Sequence, residues 1–482
     1  MTEQEERLRQ YLRGVEAEAE SVPDVRLDGA IRAGMAQGRQ SQSGQRFRIG
    51  WMAAALAAAV LVMFLPSLRP GGGEQAAEHP AKAIVKQPAS WGSLEVFRPE
   101  VEDNQTIRSA LDAGRVLPLN ESVSLGEDYK LTLNGAIADA KGITILYTFE
   151  NFTGQRVNHY LSLEDRKGAA IASFSTGGQY TEDSGSPGIT RDFTQIFYEK
   201  DRDTFDSLQA ALTVTPDTPE AKLSSSTKYR KTLTVPFALD RNKVLQGNRR
   251  FTLDRELVIA GQKVKVSEFY LGATGTYMTY SFDGKNSMKV FDFLNDRIVF
   301  DGSGEGQELY SHSAFTPRVG KITQVYPADS RFETEAFAFK ADGILALNKD
   351  KLDVVVDLEK GKILKAPDDR LTLSPAMQDA QGNELIFRMF VPETEYQTMG
   401  GTLSLDDNYT DGERSGHWLS SGKSSEGVVT SGTDTAAEEN GVKGYYREFH
   451  YYLERQDLPQ PLTFKLTNYP SPLHDPQSLR IE

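Results

Sequence analysis

Residues Lys130 to Glu150 read KLTLNGAIADAKGITILYTFE. Leu131 and Leu133 alternate with polar residues, Asp139, Lys141 and Gly142 interrupt the run, and Ile145, Tyr147 and Phe149 alternate again. A period of two puts one set of side chains on one face, so the stretch predicts a β-hairpin with these five apolar residues in the core. The pattern recurs without gaps from Lys263 to Asp283 (KVKVSEFYLGATGTYMTYSFD), where Ala140, Gly142, Tyr147 and Phe149 reappear as Ala273, Gly275, Tyr280 and Phe282. A third copy starts at Leu371 (LTLSPAMQDAQGNELIFRMF) and repeats Ala136, Asp139, Ala140 and Gly142 as Ala376, Asp379, Ala380 and Gly382. Matching its second strand calls for one extra residue.

Self-similarity at a regular spacing marks a tandem array. Each hairpin is followed by an alternating strand, at Leu212 to Thr215, Val354 to Asp357 and Leu462 to Lys465. A unit of roughly 110 to 130 residues made of short strands has the size of an immunoglobulin-like sandwich. The expected fold is therefore mostly β: tandem immunoglobulin-like β-sandwiches at 123–245, 246–365 and 366–482. A sheet shared by the second and third units is the alternative.

Upstream the composition changes. Residues 69–122 hold a linker with Pro70, Gly71 to Gly73, Pro80 and Pro88, then a short helix. Asp103 or Asn104 caps it, Ile107 and Leu111 lie one turn apart, and Gly114 ends it. Residues 49–68 (IGWMAAALAAAVLVMFLPSL) carry no charge and are flanked by Arg48 and Arg69. About 20 apolar residues span the ~30 Å hydrocarbon core, so this is a transmembrane helix. Arg32, Arg39, Arg46 and Arg48 precede it without a nearby acid, whereas Arg69 and Lys82 beyond it are offset by Glu74 and Glu78. The positive-inside rule places the N-terminus in the cytoplasm and residues 69–482 outside the cell membrane. A cleaved signal peptide is the alternative, and a leader of 48 residues argues against it.

The chain of 482 residues has no cysteine, which excludes disulfides, a thiol nucleophile and Cys-ligated zinc. Its formal charge of -14 argues against nucleic acid as a partner. In the cytoplasmic segment 1–48, Leu8, Leu12 and Val15 form one narrow apolar helical stripe and Leu27, Ile31 and Met35 a second. Two such stripes bury too little to fold alone, so they are candidate anchors for a partner's groove. A polar tail with accidental periodicity is the other reading.

Chemistry is sparse. The six histidines, His79, His159, His312, His417, His450 and His474, show no ligand spacing. Asp183 to Pro187 imitates a protease nucleophile loop, but Glu182 and Ser186 stand where that loop has glycines. Asp407 to Gly412 (DNYTDG) begins like a calcium loop, yet Tyr409 and Trp418 occupy positions that need oxygen ligands. Asp301 to Glu308 reads as an acidic turn. No catalytic, cofactor-binding or metal residue is assigned, no cofactor is implied, and no enzyme is expected. Tyr445 to Tyr452 (YYREFHYY) sets aromatics on both faces of a strand, as an exposed platform or as a strand buried on both sides.

The segments VPDVRLDGAIRAGM (from Val22), IRSALDAGRVLPLNESV (from Ile107) and KLTLNGAIADAKGITILYTFEN (from Lys130) together are notable. With a single span between the first two, the chain resembles the Gram-positive bacterial membrane proteins carrying domain of unknown function 4179. The resemblance covers roughly residues 20 to 245, with a related second β-domain falling on about 246–365. It implies an extracytoplasmic-function anti-sigma factor, a transmembrane signalling protein with a sigma factor as cytoplasmic partner and an envelope or cell-wall ligand outside. The chain departs from that pattern in two ways. It lacks the His and Cys of zinc-binding anti-sigma domains, and residues 1–48 are shorter than a four-helix anti-sigma domain. The alternative is a membrane-anchored cell-surface or cell-wall binding protein with no signalling role.

Overall fold

A computed structural model describes residues 90–177, 185–198, 200–218, 229–301, 308–318, 320–374, 384–393, 403–420, 435–439, 441–453 and 457–482. The span expected at 49–68 and the stripe residues Leu8, Leu12, Val15, Leu27, Ile31 and Met35 lie outside them. Among the described residues no helix is long and apolar enough to cross a membrane. The described chain is mostly β.

The hairpin that opens the sequence forms as strands Tyr129–Ala138 and Gly142–Asn151, with Leu131 opposite Phe149 and Leu133 opposite Tyr147. The second copy pairs Val264 with Phe282 and Val266 with Tyr280, and both hairpins slip by one residue just past Leu133 and Val266. The third copy pairs Leu371 with Met389 and Leu373 with Phe387. In all three the partners sit at the same sequence separation, so the extra residue expected in the third copy is not needed. Its turn lies outside the described residues.

The repeat extends beyond the hairpin. A strand before each of the first two copies, Leu117–Leu125 or Arg249–Ile259, joins the sheet and shifts register beside a left-handed residue, Asn120 (φ 56) or Asp254 (φ 46). Asn and Asp tolerate that conformation better than other side chains, and such bulges sharpen strand twist. Each of these two sheets is completed to five strands by a fourth strand against the hairpin, Gly188–Tyr198 or Lys321–Tyr326, and a fifth outside it.

In the first unit, a three-stranded sheet, Val157–Asp165, Leu208–Pro216 and Lys231–Phe237, closes over the five-stranded one. Leu131, Leu133, Ile145, Tyr147 and Phe149 are buried in the shared core, as the alternation predicts. The second core joins its sheet to strands Met288–Leu294, Arg297–Phe300 and Phe337–Asn348. The third core is wrapped by one nine-stranded sheet.

Strand membership departs from sequence order at the last boundary. Asp353–Asp357, which the spacing places at the end of the second unit, pairs with Leu462–Asn468 and buries Val354 and Val356 in the third core. The final strand, Pro472–Arg480, returns to pair with Phe337–Asn348 of the second. Spacing counts strands but does not say which sheet each one joins.

Residues 92–100, expected to be linker, form instead a 3-10 turn, Gly92–Phe97, and most of a helical turn, Arg98–Val101. The expected helix follows at Gln105–Asp112, with the Asn104 side chain accepting from the Ile107 amide. Gly114 adopts φ +65 just beyond it, where a side chain would be strained. This segment lays Phe97, Val101, Ile107 and Leu111 on Ile137, Leu146 and Phe193 of the first sheet. Strand Gly142–Asn151 is thus buried on both faces for most of its length.

Candidate functional site

The turns of the first two hairpins meet tip to tip. They are copies of one turn: the Asp139 amide donates to the Gly142 carbonyl at 3.0 Å, and the Gly272 amide to the Gly275 carbonyl at 3.0 Å. Within its own turn, Asp139 Oδ1 accepts from the amides of Lys141 (2.7 Å) and Gly142 (3.0 Å). Its Oδ2 crosses to the second unit, accepting from the Thr274 amide (2.8 Å) and hydroxyl (2.6 Å). Gln195 Nε2 donates to the Thr274 carbonyl at 2.8 Å, and the Ala140 amide donates to the Tyr270 hydroxyl at 3.1 Å.

Asp139 is fully buried. Burial raises its carboxyl above the ordinary range, against the downward pull of the hydrogen bonds from Thr274, Lys141 and Gly142. Tyr277 and Tyr198, buried nearby, are likewise pushed up by burial and then by the Asp139 charge.

Around this contact lies an apolar cluster of Ala140, Phe197, Tyr270, Tyr277, Phe315 and Val325, drawn from both units. Phe197 stacks on Phe315 with centroids 5.7 Å apart and meets Tyr277 edge-on at 6.1 Å. A joint with its own packed core does not swivel freely, because dense packing is not continuously deformable.

The rim is charged. Lys141 Nζ lies 2.9 Å from Asp201 Oδ1 and 2.8 Å from Glu268 Oε1, and Arg250 pairs with the same two carboxylates. Burial pushes Asp201 up, but its ion pairs with Lys141 and Arg250 prevail and hold it low. The Arg250 guanidinium also stands over the Tyr270 ring at 5.0 Å. Ala140, Arg202, Asp203, Leu245 and Asn248 complete an open cleft with Asp201, Arg250 and Tyr270.

The helical segment reaches this joint too. Thr106 Oγ1 accepts from the Ala328 amide at 3.1 Å, and Gln105 Nε2 donates to Asp329 at 2.7 Å. Arg115 pairs with Glu333, and Ala273 of the second turn packs among the segment's apolar residues. Helix Gln105–Asp112 is therefore held by the first sheet and by the second unit at once.

The other residues considered from sequence are scattered. His159 Nε2 is 3.9 Å from Asp192 Oδ2, beyond hydrogen-bond range, and its ring packs on Phe149. Asp183 and Ser184 lie outside the described residues. In the DNYTDG stretch, Asp411 accepts from the amides of Glu413 and Ser415 and contacts His417 Nε2 at 2.9 Å, which is a turn and not a metal loop. Among the described residues no group of three His, Asp or Glu lies close enough to hold a metal ion. In Tyr445 to Tyr452, Phe449 and Tyr451 enter the third core. Tyr446, His450 and Tyr452 form a half-buried outer face with polar partners, so neither of the two expected extremes holds.

The joint was invisible to motif reasoning, since a polar Asp-Ala-Lys-Gly turn looks solvated. The available signal was the alignment itself, which sets Asp139 against Gly272, a charged residue against no side chain, inside an otherwise shared turn.

No protein-family model matches the chain, and no curated protein matches it. A solved structure described as a conserved domain protein from Bacillus anthracis is similar over 52% of this chain and 84% of its own, at 13% identity with a TM-score of 0.33.

Proposed function

We propose that the chain is an anti-sigma factor or closely related transmembrane signalling protein, of the kind that carries domain of unknown function 4179. In this reading a helix at 49–68 crosses the membrane, 1–48 holds a sigma factor in the cytoplasm, and the outer region is a tandem of immunoglobulin-like sandwiches. The observation that carries the reading is the seat of helix Gln105–Asp112. This element lies about forty residues beyond the span and is bonded both to the first sheet and to Ala328 and Asp329 of the second unit. A ligand or cut that shifts the two units relative to each other must also shift the helix that leads back to the membrane. Coupling of this kind needs two packed arrangements that the signal favours unequally.

The test uses the full-length tagged chain, extracted in detergent from its host. Co-purification of a sigma factor, abolished by Leu12→Glu or Ile31→Glu with the outer region still folded, supports the reading. If no sigma factor co-purifies, the chain is an anchored surface or wall-binding protein whose tail sets topology only.

A further inference from the structure

We propose that the outer face of the third unit's sheet binds a polysaccharide strand, with the indole of Trp418 as its stacking platform. The inference concerns a different surface from the joint and does not depend on a sigma partner.

Strand Gly416–Ser420 sets its direction by alternation. His417 and Leu419 are buried, His417 against the Tyr409 ring at 5.4 Å and Leu419 in the third core. The pleat then turns Trp418 outward, and it is 63% exposed. An exposed Trp on a strand that pairs on both sides, with Ser404–Thr410 and with Val442–Leu453, is neither core nor edge protection.

Its neighbours on that face are polar and aromatic. Asn408 pairs directly opposite Trp418. Ser420 lies opposite Tyr452, which puts Tyr452 on the diagonal from Trp418, within reach of a second aromatic contact. Tyr452 in turn faces Glu384, whose carboxylate is 2.7 Å from His450 Nδ1.

This chemistry selects among ligands. A peptide adding as a strand needs an open edge, and the strand of Trp418 lies inside the sheet, between Ser404–Thr410 and Val442–Leu453. An amphipathic helix needs a row of large apolar side chains. Among the described residues, the other exposed ones of this sheet, Leu364 and Val442, lie on the far strand Lys362–Lys365 and about 30 Å along from Tyr452. A polysaccharide strand fits: one pyranose lays its apolar C–H face on the indole beside the Asn408 amide, and the hydroxyls of the next sugars reach the Tyr452 hydroxyl and the Glu384 carboxylate, which lies three strands or about 14 Å across the sheet from Asn408.

The experiment is calorimetric titration of the full-length chain in detergent with chitohexaose and with cellohexaose, plus co-sedimentation with purified wall sacculi. Binding to at least one of these is expected. Trp418→Ala should weaken it by roughly tenfold or more, and Trp418→Phe should restore most of it. Because Trp418 packs against no core, both variants should melt with the parent. Failure to bind all three probes, or equal binding by Trp418→Ala, overturns the proposal.

Discussion

Asp139 and Gly272 hold the same place in two copies of one turn, and a Cβ on Gly272 would lie 2.1 Å from Asp139 Oδ2. One copy supplies the carboxylate and the other leaves room for it. Gly272→Ala should destabilise the chain by about 1–3 kcal/mol through overpacking. Asp139→Ala should do so by about 1–3 kcal/mol by stranding the Thr274 donors. Since each change removes what the other opposes, the double variant should lose less than the sum. Denaturant melts of the full cycle check this, and strict additivity would contradict the contact.

The raised Asp139 carboxyl sets a pH dependence. A group whose folded pKa lies above its unfolded value near 3.8 binds its proton more tightly in the folded chain. Its contribution is present below that value and is lost as pH rises through the folded pKa. Relative to Asp139→Asn, the parent should lose melting temperature as pH rises from about 4. A parent that gains over this range would show that the hydrogen bonds outweigh burial.

His312 should act with the opposite sign. Burial pushes it down to about 4, and its Nδ1 is enclosed without a hydrogen-bond partner among the described atoms. The unfolded chain protonates this residue near pH 6.5 while the folded chain resists. Stability present above pH 6.5 is thus lost on acidification toward pH 4, by at most about 3 kcal/mol. His312→Gln should flatten that part of the pH profile in thermal melts.

Ile107 is fully buried beneath the helical segment. Ile107→Ala should cost about 2–5 kcal/mol locally and raise hydrogen exchange across 92–112 before the three large cores respond. Thr106→Val, which removes only the acceptor for the Ala328 amide, should cost about 1–3 kcal/mol and raise exchange at 328–333 as well.

At the rim, Arg250 is 40% exposed although it pairs with Asp201 and Glu268. Solvent screens such pairs, so Arg250→Ala should cost about 1 kcal/mol or less, shrinking further at high salt. A large loss independent of salt would point to its packing on Tyr270 instead.

How much of this was legible depends on the residue. Leu131, Leu133, Ile145, Tyr147 and Phe149 were readable as core because alternation is a local consequence of strand geometry. The helix boundaries at Asn104 and Gly114 were readable because capping is local as well. Burial of Ile137 and Leu146 on the opposite face was not, since it depends on a helix packing from thirty or so residues upstream. The Asp139 to Thr274 contact joins residues 135 apart, and no short pattern encodes it. Trp418 was noticed only as a residue that spoils a calcium loop; its outward direction follows from which neighbours on its strand are buried.

A single cut between Asn348 and Asp353 would not release the third core, because strand Pro472–Arg480 still clasps the second. In chain order the third core is a passenger, entered from the second and returned to it. Tension between Trp91 and Glu482 would therefore run through the ladder joining Phe337–Asn348 to Pro472–Arg480, loading the second core and leaving the third as slack.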